Sequence, residues 1–322
     1  MQRTTKQRLK QYLSWIMWIL IIQIALANIS AALYAYKFTH FYINPPPYQP
    51  TKNIFVKTWK LFTGPRIYKL SIDTTVPQGY KQIKLRTGND LAIDGWYGAV
   101  DSARGCVIFL HGITTNKGLF LHEAEQFKTW GYNVLLIDFR AHGASEGKKS
   151  SFGYKEADEA EKAFRFARSK GNRDIIFYGS SLGSVVIMKA IAEKRIAPTA
   201  IIADMPFGSL QDHLKARARV LGFPSQPFAF LVTLWIGIEN GYNGFSLQAY
   251  QYSKKVNCPV LLQWGDKDMY VTENEINRVY KNLESPRKKM IVYPGANHES
   301  LLKYDPVSWQ QNVKLFLESL QQ

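Results

Sequence analysis

The stretch that most restricts this chain is Gly179-Ser180-Ser181-Leu182-Gly183. The apolar run before it, residues 174–178, predicts a buried strand, and residues 184–193 predict a helix. A G-x-S-x-G turn between strand and helix is a nucleophile elbow. The positions two before and two after the serine must be nearly free of side chain, and the serine is held strained and exposed at the helix start. Ser181 has glycine on both sides at that spacing and Ser180 does not, so Ser181 is the candidate nucleophile. An ordinary glycine-rich turn is the alternative. A serine hydroxyl needs a base, an acid to orient that base, and donors for the oxyanion, and the rest of the chain can be searched for them.

Further strand-like runs at residues 106–110, 133–137, 199–203, 259–264 and 289–293 alternate with helical patterns at residues 119–130, 154–169, 273–283 and 305–320. Such alternation predicts an α/β fold with a mostly parallel central sheet and helices on both faces. The catalytic loops are then expected at the carboxyl ends of the strands. Residues 80–86 and 91–100 predict a leading hairpin turned at Gly88-Asn89-Asp90. The alternation breaks at about residues 205–252, which contain Pro206, Phe207, Phe223, Pro224, Pro227 and the apolar run 228–238. This insertion predicts a small cap over the elbow whose apolar wall suits an acyl or aromatic substrate; an ordinary core helix is the alternative for the run. Each cysteine, Cys106 and Cys258, begins an apolar run and is expected to behave as a small buried hydrophobe.

Residues 13–36 hold no Lys, Arg, Asp or Glu, and a helix of that length spans a hydrocarbon core of about 30 Å. Trp15, Trp18, Tyr34 and Tyr36 give it aromatic ends. Arg3, Lys6, Arg8 and Lys10 precede it, which predicts a cytoplasmic tail at residues 1–12 and a transmembrane signal-anchor at residues 13–36. A signal peptide cut after Ala25-Leu26-Ala27 and a buried helix are the alternatives. Residues 37–79 form a linker. Within it Pro45-Pro46-Pro47 and Pro50 predict a stiff spacer, and Phe55, Trp59 and Phe62 lie at helical spacing. That aromatic face is expected to pack on the catalytic domain, residues 80–322; an interfacial helix on lipid is the alternative. The net charge of +16 favours an anionic membrane surface or anionic substrates over a neutral partner, or is simply a basic solvated surface. No nucleic-acid-binding pattern accompanies it.

Among histidines after Ser181, His213 lies inside the expected cap, whereas His298 follows the last strand, beyond any candidate acid. His298 is the expected base. Asp268, Asp266 and Asp204 are the candidate acids. The backbone N–H groups of Ile113 and Leu182 are the expected oxyanion donors. His111 and His142 are expected to fix their own loops. Neither forms a metal-ligand cluster at a familiar spacing, so no metal is inferred, and nothing calls for a cofactor.

His111-Gly112 with Asn116, residues 138–145 (DFRAHGAS), Gly179–Gly183, Gly265-x-x-Asp268 and His298 occur in an order that resembles the α/β-hydrolase fold serine hydrolases. The resemblance covers residues 81–322. With the N-terminal anchor and modest cap, the layout is similar to the membrane-anchored abhydrolase-domain proteins and the serine-aminopeptidase or monoacylglycerol-lipase-like group. It implies Asp268 over Asp266 as the acid. It also implies a serine hydrolase acting on a small-molecule or lipid ester or thioester, tied to the membrane by its N-terminal helix. A peptidase on the same triad and a non-catalytic binding protein are the alternatives.

Overall fold

The computed structural model describes residues 5–43, 53–70, 76–88, 90–222 and 224–321. The proline spacer lies outside them, as do Arg3, Lys52, Asn89 and Phe223. In chain order the elements are α1 (Thr5–Thr39), β1 (Phe41–Tyr42), α2 (Ile54–Thr63), β2 (Ile67–Tyr68), β3 (Lys81–Arg86), β4 (Ala92–Gly98) and β5 (Cys106–Leu110). Then come α3 (Leu121–Thr129), β6 (Asn133–Ile137), α4 (Ala157–Ser169), β7 (Ile175–Ser180), α5 (Leu182–Ala192) and β8 (Ala200–Asp204). The chain ends with α6 (Leu210–Val220), α7 (Phe228–Asn240), α8 (Ala249–Tyr252), β9 (Val260–Gly265), α9 (Glu273–Asn282), β10 (Lys288–Tyr293), α10 (Leu301–Tyr304) and α11 (Pro306–Ser319).

Eight strands form one sheet in the order β10-β9-β8-β7-β5-β6-β4-β3. The six strands from β10 to β6 run parallel, and β3 and β4 form an antiparallel hairpin whose β4 also pairs antiparallel with β6. Strands β5, β6, β8 and β9 are buried along their whole length because helices cover both faces, which is why each reads as an unbroken apolar run. The chain order reverses around β5 and β7, so the elbow after β7 and the loop after β5 meet at the carboxyl edge of the sheet. Cys106 is a free, buried thiol at the start of β5.

The N-terminal helix differs from expectation in its bounds. Helix α1 is long and apolar enough to cross a membrane. Its large apolar side chains stay exposed as far as Ile29, and from Ala31 onward it packs against α7, burying Ala31, Tyr34, Ala35, Phe38 and Thr39. Tyr34 meets Phe228 edge-on at 5.0 Å. The largely bare stretch, residues 13–30, in which Ala27, Asn28 and Ser30 are half-buried, is roughly 27 Å long at about 1.5 Å per residue. Residues 31–35 of the expected span are therefore buried or half-buried against protein, while Tyr36 stays exposed. The two-residue pair β1–β2 closes the loop that leads away from α1.

Two further expectations are corrected. The aromatic face of α2 does not pack on the catalytic domain: Phe55 is 81% and Trp59 62% exposed. Instead α2 lies against α1, where Ser30 Oγ and Tyr34 Oη donate to the carbonyls of Phe62 and Leu61. The apolar run in the insertion forms α7, which covers α1 and α6 rather than the elbow, because the anchor is itself an apolar surface needing cover. The insertion reaches the elbow through α6.

Candidate active site

Ser181 stands between β7 and α5 with φ 52° and ψ −109°, a left-handed backbone that costs energy in any residue but glycine. The flanking glycines are steric necessities. A Cβ on Gly179 would lie 2.5 Å from the Ser184 nitrogen, and one on Gly183 would collide with the Leu110 carbonyl at the end of β5. The turn is tied to β8, since the Ser181 N–H donates to the Asp204 carbonyl at 2.8 Å. The Ser184 hydroxyl donates to the carbonyls of Gly179 and Asp204 at 2.7 and 3.0 Å. Ser181 is only 5% exposed, less than expected, and meets solvent through a cavity of 240 Å³ that it shares with Gly112, Ile113 and His298.

His298 Nδ1 lies 2.7 Å from Asp268 Oδ2. The other Asp268 oxygen accepts the N–H groups of Tyr270 and Val271 at 2.7 and 2.9 Å, and the carboxylate is fully buried. With Nδ1 held by the carboxylate, Nε2 is the ring nitrogen left for the cavity. The other two acids are engaged elsewhere. Asp266 Oδ1 accepts the Gly295 N–H at 2.6 Å. Asp204 accepts from Tyr178 Oη at 2.5 Å and Gln263 Nε2 at 2.9 Å, and burial pushes its carboxyl up to about 7.

The loop after β5 is braced from below. His111 Nδ1 donates to the Gly112 carbonyl at 2.7 Å, and Nε2 accepts the Phe139 N–H at 3.0 Å, so the ring is a neutral spacer between two loops. Burial holds it below the ordinary histidine range. His142 donates from Nδ1 to the Arg140 carbonyl at 2.8 Å, and burial, then the nearby His111, push it down to about 3. Asp138 accepts from the Lys117 N–H and the Ala144 N–H at 2.7 and 2.8 Å, and Lys117 also pairs with Asp94 at 2.8 Å. Ile113 is thereby set on the cavity wall. Leu182 opens α5, where a backbone N–H has no partner within its own helix.

A family model described as serine aminopeptidase, S33, matches residues 101–234. The lysophosphatidylserine lipase ABHD12 of Mus musculus is 24% identical over 207 residues, 60% of this chain and 49% of that protein. The uncharacterized protein YqkD of Bacillus subtilis is 28% identical over 232 residues, 71% of this chain and 76% of that protein. The solved Pyrococcus furiosus esterase Pf2001 superposes with a TM-score of 0.66 at 23% identity, covering 78% of this chain and 96% of that one. The chain has the α/β-hydrolase fold, and its relatives are hydrolases of that fold. It spans about half the length of the lysophosphatidylserine lipase it matches.

The hydrolase also brings residues to the cavity that sequence reasoning passed over. His213 and Arg217, four apart on α6, both line it, and so do Glu123, Tyr270 and Ser300. The sequence places His213 only inside the expected cap. Buried beside Arg217 and His298, it is held well below the ordinary histidine range and stays neutral. The available signal was the spacing of His213 and Arg217 on one face of a helix that follows a catalytic-edge strand.

Proposed function

We propose that this hydrolase cleaves carboxylic esters or thioesters of lipid-like acyl substrates at a membrane surface. Ser181 Oγ attacks the acyl carbonyl while His298 Nε2 takes its proton. Asp268 orients the ring and stabilises the imidazolium. The N–H groups of Ile113 and Leu182 hold the oxyanion. The imidazolium then returns the proton to the leaving oxygen or sulfur. Water, deprotonated by the same nitrogen, releases the acid from Ser181. The observation that supports this reading best is the buried Asp268–His298 hydrogen bond in a loop that shares one cavity with the elbow serine. The esterase and lipase names among the relatives favour an ester over other acyl bonds.

The membrane part of the reading rests on α1 and α2 together. The bare part of α1 matches a hydrocarbon core, and α2 lies beside its exit with Ile54, Phe55, Trp59 and Leu61 exposed and Lys57 and Lys60 among them. Lys6, Arg8 and Lys10 keep the short tail in the cytoplasm, which puts residues 80–322, as the catalytic unit, on the other side. Ser181→Ala should abolish turnover of a short p-nitrophenyl ester and labelling by a fluorophosphonate probe; a variant that still labels refutes the assignment. The family description also favours a second reading, peptide-bond cleavage on the same residues, which faster turnover of aminoacyl amides than of esters would establish.

A further inference from the structure

Arg217 carries a charge that the proposed chemistry does not use. It lies on α6 and lines the cavity next to His213, Tyr270 and His298. No carboxylate among the described residues pairs with it; besides burial, what acts on it is Tyr270, which also shares a side-chain hydrogen bond with it. Its Nε is buried without a hydrogen-bond partner among the described residues. The rings of Phe38 and Tyr270 lie 4.9 and 5.6 Å from its Cζ. A guanidinium does not give up its proton in a protein, so burying it with no counter-charge and an idle Nε is costly unless an anion pairs with it during function.

The surroundings point the same way. His213 Nε2 is also buried and unpartnered, and its ring sits among Phe38, Phe152 and Phe207. The buried acids on the cavity wall do not offset the charge. Glu123 accepts from Ser300 Oγ at 2.6 Å, Asp204 is held by Tyr178 and Gln263, and burial raises both toward their neutral forms. On its other side Arg217 borders an apolar crevice with Tyr34, Phe38, Leu214 and Val232, which suits its aliphatic stem and leaves the polar end for the cavity.

We infer that Arg217, with His213 beside it, is an anion subsite that takes a phosphate or carboxylate group of the ester substrate. The planar guanidinium pairs with either group through two N–H donors at once, and the hydrolase thereby selects negatively charged esters over neutral ones. This rests on the proposed esterase reading.

The test compares kcat/KM of the detergent-solubilised full chain for 1-lauroylglycerol 3-phosphate, O-lauroyl-lactate and neutral 1-lauroylglycerol. Arg217→Gln is expected to lower the charged-to-neutral ratio about tenfold or more for the phosphate, the carboxylate or both, which also tells the two anions apart. Arg217→Lys should keep part of the preference. The ratio does not depend on the fraction of folded protein. Unchanged ratios for both anions overturn the inference. A second arm needs no turnover: dodecyl phosphate and dodecanoate, but not dodecanol, should raise the melting temperature of Ser181→Ala protein, and adding Arg217→Gln should remove the shift. Were no ester turned over and Ser181 not labelled, the esterase reading would fail, and this arm would decide the subsite alone. Equal shifts with and without Arg217→Gln overturn it.

Discussion

Replacing Asp268 by asparagine keeps the shape of the side chain and removes its charge. The surroundings then dictate which way the new amide turns. The Oδ1 position accepts two backbone N–H groups, from Tyr270 and Val271, so the amide oxygen must stay there. The NH2 group is left facing His298 Nδ1, 2.7 Å away in the parent. A donor there forces Nδ1 to accept, and the ring proton moves to Nε2, the nitrogen that takes the proton of Ser181 in the proposed reaction. The base is present but in the wrong tautomer. In Ser-His-Asp triads such a change lowers kcat about 10⁴-fold, or about 5 kcal/mol at roughly 1.4 kcal/mol per decade. Single-turnover acylation by a p-nitrophenyl ester measures it, with little change expected in the melting temperature. Asp204→Asn is the control, because Asp204 faces Tyr178 and Gln263 instead of the histidine. An Asp268→Asn variant within tenfold of the parent refutes the argument, and so does an Asp204→Asn variant that loses as much by the same kinetic signature.

Three other expectations can be checked. Gly183→Ala drives a Cβ into the Leu110 carbonyl, so it should cost about 1–3 kcal/mol of stability in denaturant unfolding and slow fluorophosphonate labelling. Buried His142 titrates near 3 in the fold and near 6.5 when unfolded. Between those values the unfolded chain binds a proton that the fold refuses, so stability is full above pH 6.5 and falls on acidification, by up to about 1.4 kcal/mol per pH unit. His142→Gln should flatten that fall by one proton; identical slopes would count against the neutral ring. Phe55→Cys carrying an environment-sensitive dye should shift to the blue in vesicles if α2 lies on lipid, and an unshifted spectrum would return α2 to water.

The sheet was legible because each central strand is buried on both faces and therefore reads as an apolar run bounded by turn residues. The elbow was legible because only glycine fits beside Leu110 and Ser184. Asp268, Asp266 and Asp204 were not separable by residue type. Their distinction lies in which carboxylate meets His298, a matter of loop geometry across residues 268–298. The route of α7 was equally hidden, because an apolar helix looks the same whether it covers a substrate pocket or another helix. Arg217 was one basic residue among many, and its meaning comes from what the fold withholds from it. The pair β1–β2 is too short to leave any pattern.

Helix α1 runs without a break from Thr5 to Thr39, so its bare and packed portions turn together. The catalytic unit is thus mounted on a mast instead of swinging from a leash. Phe38, which stacks with Phe152 at 5.2 Å and also covers Arg217, stands about 12 Å above Ser30 along the same axis. If α1 crosses a bilayer as proposed, height over it and rotation about the normal are set by one rod. A tilt forced on that rod by a thinner or thicker bilayer would reach Arg217 as a displacement of Phe38. In that arrangement lipid thickness would be a mechanical input to the site, and cutting the chain after Thr39 would remove the Phe38 ring from Arg217 along with the attachment.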